Sequence, residues 1–259
     1  MTAFIAIALG NSRAAAARAD SSALGPVRRA PADRLEDLRD VLARACPDCG
    51  GDPMPVVVAS VNPPALARLE RLLSEMSLPP PEVARRDFPI PIRTDVREPE
   101  RVGTDRLLGA LAAFRREGRA CIVVDCGTGI TVNSVSAGGV FLGGAILPGL
   151  AMMARALAGG TALLPEVALP EIAPGIGRTS EEAIAAGILH GTGGAVATLV
   201  LLAGKLLGGN AAVLLTGGDA PRLARFLPPD CGKVFPDLVL EGLAIAYRER
   251  PARQPPPRK

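Results

Sequence analysis

The sequence predicts an α/β protein built as two halves, and three observations carry that prediction. Apolar strand-like runs alternate with segments of helical period along the whole chain. Strand ends feed glycine turns near residues 10, 127 and 217. With 48% hydrophobic residues in 259, the chain can also bury a large core. Two α/β halves that each bring a phosphate loop to a cleft account for the recurring turns better than one doubly wound sheet.

Residues 3–9 read as a first strand, followed at once by Gly10, Asn11, Ser12 and Arg13. Asn and Ser at a turn can donate to anions, and Gly lets a ligand come close to the backbone. The opening FIAIAL and AAAARAD imitate a signal peptide only faintly, because no basic region precedes a short apolar stretch. Residues 31–45 carry a helical period through Leu35, Leu38, Val41 and Leu42. CPDCGGDP is a loop, residues 56–61 an apolar strand, and 64–76 a helix with Leu66, Leu69, Leu72 and Leu73 on one face. The proline-rich stretch that ends at Pro91 cannot be a helix interior and leads in extended form to Gly103. Residues 104–115 form a helix whose first turn holds Asp105 and Arg106. A carboxylate there is favoured by the helix dipole, and a guanidinium beside it suits a carboxylate ligand. Simple capping by Thr104 or Asp105 is the alternative.

Residues 120–148 organise the chain. A buried strand, 121–125, runs into Gly127, Thr128 and Gly129 and then into a second β-rich run, 131–135. Uncovered N–H groups in such a turn can wrap an anionic oxygen, Thr128 can add a hydroxyl, and Asp125 at the strand end can hold a cation. An ordinary hairpin with glycine at positive φ is the competing reading. A short helix over 151–158 and a long, nearly apolar one over 177–207 follow. The second opens on the cap-like Thr179-Ser180-Glu181-Glu182 and is apolar on every face, which assigns it to an interior or a subunit interface. Residues 211–216 are a strand ending in Gly217-Gly218-Asp219, and 237–250 are the last helix. The basic, proline-rich tail that follows is expected to be disordered.

Composition narrows the function. A net charge of +3 spread along the sequence, no Trp and one Tyr argue against nucleic acid as a partner. No apolar run reaches membrane-spanning length once its glycines and charged residues are counted, so no membrane is expected. Five cysteines, an odd number, fit reduced thiols in a cytoplasm. Cys46 and Cys49 form CPDC, half a zinc site or a redox pair, but no second pair joins them. The single histidine, His190, reads as a packed helix residue.

In their order, these motifs resemble the type III pantothenate kinases, members of the actin-like ATPase superfamily with two ribonuclease-H-like domains. The resemblance runs from Ile5 to Tyr247: GNSR at 10–13, GTDR at 103–106, DCGTGIT at 125–131, FLGGAILPG at 141–149, LLP at 163–165, GRTSEEAIAAG at 177–187, TGGDA at 216–220 and DLVLEGL at 237–243. It implies an N-terminal domain over 1–117, a C-terminal domain with a dimerisation helix over 118–250, and a tail over 251–259. It further implies ATP-dependent phosphorylation of pantothenate. Asp105 would be the general base. Gly103, Thr104, Asp105 and Arg106 would hold pantothenate, with Arg106 on its carboxylate. Gly10, Asn11, Ser12, Arg13 and Thr128 would hold ATP. Asp125 would bind the monovalent cation, K⁺ or NH₄⁺, with Mg²⁺ arriving on the nucleotide. Ser180 stands where the family offers a Thr to the neighbouring subunit, which implies a homodimer.

The sequence departs from the family pattern at four places. Ala8 stands where the first motif has Asp, Val96 where a Tyr lines the pantothenate pocket, Ile130 in the second phosphate motif, and Asn133 where Asp is common. A non-catalytic homologue that binds nucleotide or pantothenate in a regulatory role is therefore the alternative expectation.

Overall fold

The computed structural model describes residues 3–45 and 53–251. Cys46 and Cys49, and the tail beyond Pro251, lie outside the described residues. The chain divides into two compact units, each with its own sheet.

In the first unit, β1 (Phe4–Leu9), β2 (Arg13–Ala19) and β3 (Arg28–Pro31) form an antiparallel meander. β4 (Val56–Ser60) and β5 (Glu82–Val83) join in parallel, giving the order β3-β2-β1-β4-β5. Strand period two puts Ile5, Ile7 and Leu9 on one face with Ala14, Ala16, Val56 and Val58. That face packs on Leu35, Leu38, Val41 and Leu42, which lie on a short helical stretch centred on α1 (Arg39–Leu42), and on Leu69 and Leu73 of α2 (Pro63–Glu75). Each such side chain removed from water contributes ~1.5–3 kcal/mol. Phe4, on the opposite face, meets the Tyr247 ring at 4.7 Å between centroids, and Phe88 closes on Tyr247 at 5.5 Å.

In the second unit the same order recurs. β7 (Cys121–Cys126), β8 (Gly129–Val135) and β9 (Val140–Pro148) form the meander, and β10 (Ala212–Thr216) and β11 (Lys233–Val234) add in parallel beside β7. β6 (Arg93–Thr94) extends the far edge, for an order β11-β10-β7-β8-β9-β6. Ile122, Val124, Cys126, Ile130 and Val132 face α4 (Leu150–Gly160) and α5 (Ser180–Leu206) through Leu150, Ala154, Ile184, Ile188 and Leu189. The other face of β7 meets α3 (Thr104–Glu117), where Gly109 lies over Val123. A short α6 (Ala220–Leu223) links β10 to β11, and α7 (Leu238–Glu249) ends the fold.

Several expectations need correction. Residues 13–19, which the sequence leaves unassigned, are the strand between β1 and β3; ladder bonds on both edges override the helix propensity of alanine, and small side chains suit a strand covered on both faces. The helix expected from residue 31 starts at Leu35, because Pro31 ends β3. β9 escaped notice because its glycines interrupt the alternation. The units are not separated by a single cut after residue 117: α3 and α7 each run through the division, and residues 92–102 group with the second unit. One helix, Ser180–Leu206, is after all long and apolar enough to cross a membrane by length and composition, with a mean hydropathy of 1.7 over its best window. Its first two-thirds carry eight buried residues from Ile184 to Val196, and five of them, Ile184, Ala185, Ile188, Leu189 and Val196, belong to the second core. His190 packs edge-on against Phe226 at 5.0 Å and keeps an exposed side.

Candidate functional site

The expected groups are shared between the two units. In the first unit, Gly10 to Arg13 make the exposed β1–β2 turn, closed by a bond from the Gly10 N–H to the Arg13 carbonyl (2.9 Å). Its other carbonyls are also engaged. Ala32 N–H donates to Ser12 O (3.1 Å), and the Asn62 side-chain amide donates to Gly10 O (3.2 Å) and Asn11 O (3.4 Å). Ala8, next to last in β1, pairs with Ala15 and Ala59, so these three paired positions supply no carboxylate.

Gly103 to Arg106 open α3 in the same unit. Thr104 is buried, and the Asp105 side chain folds back to accept a bond from the Arg106 N–H (2.8 Å). Gly103 makes room for this, since a Cβ there would lie 2.5 Å from Asp105 Oδ1. Burial raises the Asp105 carboxyl above its ordinary value, opposed by the Arg106 N–H and guanidinium; burial likewise lowers Arg106, opposed by the charge of Asp105. A carboxylate with a raised pKa, held at a helix N-terminus beside a guanidinium, is equipped to accept a proton from a hydroxyl.

In the second unit, Asp125 ends β7 opposite Thr131 of β8 and Thr216 of β10. The turn beyond it closes from Gly127 N–H to Gly129 O (3.0 Å), and Gly149 N–H holds the Thr128 carbonyl (3.0 Å). Gly149 approaches so closely that an added Cβ would collide with the carbonyls of Gly127 and Thr128. The glycine turn after β10 reaches the same place: Asp219 N–H donates to Cys126 O (3.0 Å), and Gly217 lies against Asp125 Oδ1. Burial first, then the charges of Asp125 and Asp219, push the Cys126 thiol up to about 12, so it stays an inert core group. Asn133, buried, donates to Thr131 Oγ1 (2.8 Å).

Val96 and Ser180 also lie in the second unit, each away from the Asp125 turn in sequence and in element. Val96 follows β6 and lies beside Gly143 of β9. Ser180 is the exposed first residue of α5, behind the Thr179 cap, on the rim of an apolar groove of about 740 Å³ that includes Met153, Leu157 and Ile184. Sequence reasoning missed Asn62 and Gly149. The Asn-Pro-Pro signature announces a helix cap at Asn62, but only the fold shows what the rest of its amide holds.

The sequence profile of the type III pantothenate kinase family matches residues 4–201. A type III pantothenate kinase of Rhodopirellula baltica is 48% identical over 167 residues, covering 62% of this chain and 59% of that protein. One from Nitrosococcus oceani is 35% identical over 251 residues, covering 93% and 92%. Among solved structures, the activator of the 2-hydroxyisocaproyl-CoA dehydratase from Clostridium difficile aligns over 96% of this chain and 95% of its own, with a TM-score of 0.53 at 14% identity. That likeness carries the fold alone, the two-sheet architecture of the actin-like ATPases.

Proposed function

The chain belongs to the type III pantothenate kinase family, and on that premise we propose that it transfers the γ-phosphoryl group of ATP to the hydroxyl of pantothenate. The product is 4′-phosphopantothenate, at the first step of coenzyme A biosynthesis. Asp105 carries this reading: it is a partly buried carboxylate with a raised pKa, folded beside Arg106 at the start of α3. Asp105 takes the hydroxyl proton as the substrate oxygen bonds to phosphorus and the bond to ADP breaks. Gly103, Thr104 and Arg106 hold pantothenate, with the guanidinium on its carboxylate and Val96 on its apolar side. The turns at 10–13 and at Thr128 hold the phosphates of ATP through backbone N–H groups and hydroxyls.

Among the described residues, no three His, Cys, Asp or Glu side chains converge. Mg²⁺ bound with the nucleotide would supply charge neutralisation. Asp125, at the end of β7, would hold K⁺ or NH₄⁺. A coupled assay of ADP release tests the whole reading: release that needs pantothenate and rises with K⁺ or NH₄⁺ is expected. Ala8 favours a second reading, a homologue that binds nucleotide or pantothenate without turnover. Nucleotide binding with no pantothenate-dependent ADP release would select it.

The working unit is a homodimer in the cytoplasm. Leu201, Leu202 and Leu206 on α5 are 59%, 56% and 72% exposed, and they continue the apolar helix on whose first turn Ser180 lies. Sedimentation at micromolar concentration should show a dimer; a fully active monomer would remove both the interface and the role of Ser180.

A further inference from the structure

The β1–β2 turn is held in shape by a side chain from another loop. Asn62 follows β4 and caps α2: its Oδ1 accepts from Ala65 N–H (3.0 Å), while its Nδ2 donates to the carbonyls of Gly10 (3.2 Å) and Asn11 (3.4 Å). Ser60 fixes the base of this arrangement, its hydroxyl accepting from Asn62 N–H and donating to Asn62 O, both at 3.1 Å. Val61 N–H extends the β4 pairing onto Leu9 O (3.1 Å), one residue short of the turn. The orientation of the amide is fixed by its neighbours, since only this one gives each of its polar atoms a partner of the opposite kind.

A trans peptide is planar, with its C=O and N–H pointing in opposite directions. Two carbonyls drawn towards Asn62 therefore turn the N–H groups of Asn11 and Ser12 away from it. Ala32 N–H does the same for the next peptide by holding Ser12 O, which orients the N–H of Arg13. Three successive donors are thus set by acceptor bonds on the reverse side of the turn. An anion-binding turn depends on such pre-set N–H directions, because a donor that must first be oriented contributes less to binding.

We propose that Asn62 is a positioning residue for the nucleotide phosphates, acting through the peptide planes of the Gly10–Arg13 turn. This rests on the reading of that turn as a phosphate loop. The two functions of the amide can be separated. Asn62→Asp keeps an oxygen to cap α2, and Asp is as good a cap as Asn, so the fold should hold. It replaces the donor with a second oxygen facing two carbonyls, which releases the turn. The net worth of one or two hydrogen bonds corresponds to a rise of roughly tenfold in the KM for Mg·ATP. The KM for pantothenate should move less than twofold, and Asn62→Gln should restore only part of the loss, because its longer arm changes the cap.

The experiment measures both KM values, the thermal midpoint, and amide exchange of residues 9–14 in the nucleotide-free full-length protein. An unchanged midpoint, faster exchange in the turn and a selective rise in the KM for Mg·ATP support the proposal. Wild-type KM values or wild-type exchange in Asn62→Asp would overturn it, as would a parallel fall of both substrates with a lowered midpoint, the mark of a cap alone. Should the wild-type protein fail to bind ATP, the phosphate-loop reading fails by itself, while the exchange data still judge the tether.

Discussion

The two units repeat one strand order, and they differ most at the same point of that order, the first hairpin. β1 leads through Ala8-Leu9 into a turn of four residues between the paired Leu9 and Ala14. β7 leads through Asp125-Cys126 into a turn of three between the paired Cys126 and Ile130. The strand end that carries a carboxylate in the second unit carries only a methyl group in the first. The clamps differ as well. The longer turn is held by the Asn62 side chain, whereas the shorter one is held by the Gly149 backbone, with Asp219 N–H fixing the carbonyl of Cys126 just before it. A backbone clamp is independent of side-chain identity but requires a residue without Cβ. A side-chain clamp spans a wider gap and can be lost by one substitution. Under the proposed function one topology serves two tasks: cation and phosphate at the second turn, phosphate alone at the first.

The largest expected effect tests whether the first unit supplies the chemistry despite its missing carboxylate. Asp105→Asn keeps the shape and removes proton acceptance, so kcat should fall ~10²–10⁴-fold with little change in ATP binding. The raised pKa adds a pH signature. In wild type, kcat should fall as pH drops through that raised pKa, giving an acid limb above the usual carboxylate range. Stability runs the other way. A carboxyl with a raised folded-state pKa binds its proton more tightly folded than unfolded, so its contribution is complete below the unfolded pKa and lost as pH rises through the folded one. Asp105→Asn should therefore leave the thermal midpoint at neutral pH unchanged or raised. Normal kcat in this variant would remove Asp105 from its role.

Next in size is the carboxylate that the second unit keeps. Asp125→Ala should cost ~10²–10³ in kcat, the usual loss on removing one electrostatic group, and should weaken activation by K⁺ or NH₄⁺. The mirror substitution, Ala8→Asp, sharpens the comparison. If the first turn is a weakened version of a standard site, the KM for Mg·ATP should drop and kcat should rise, by up to about tenfold for one well-placed charge-assisted contact. A loss of activity in Ala8→Asp would mean that the first turn has been rebuilt around alanine, and that the two hairpins are not functional counterparts.

The smallest effect concerns the clamp of the shorter turn. Gly149→Ala forces a methyl group against two carbonyls and should cost ~1–3 kcal/mol, read as a fall of several degrees in the thermal midpoint. Unchanged stability would show that the turn relaxes freely and that its two hairpin partners are not rigidly set.

Much of this was written in the sequence because it depends on local patterning. β7, β10, α2, α5 and the turns at 10–13, 103–106 and 127–129 announce themselves through apolar periodicity, glycine and capping residues, and each of these acts over a few neighbours in the chain. The order of the motifs was enough to indicate the family and, through it, the actin-like fold. Tertiary structure alone decided the rest. Residues 13–19 are a strand because β1 and β3 bond to both their edges, against the preference of alanine for helix. β9 is a strand because β8 pairs with it across a bulge at Ser134 and Val135. Asn62 reads as a cap, but its hold on a turn fifty residues earlier exists only once β4 is laid beside β1. Likewise, Gly149 is an ordinary glycine in sequence and a close backbone contact of Thr128 in space. Hydrogen-bond partners set by strand pairing are fixed by which chain segments become neighbours, and the sum of many weak burial terms chooses those neighbours, so no short window of sequence carries the information.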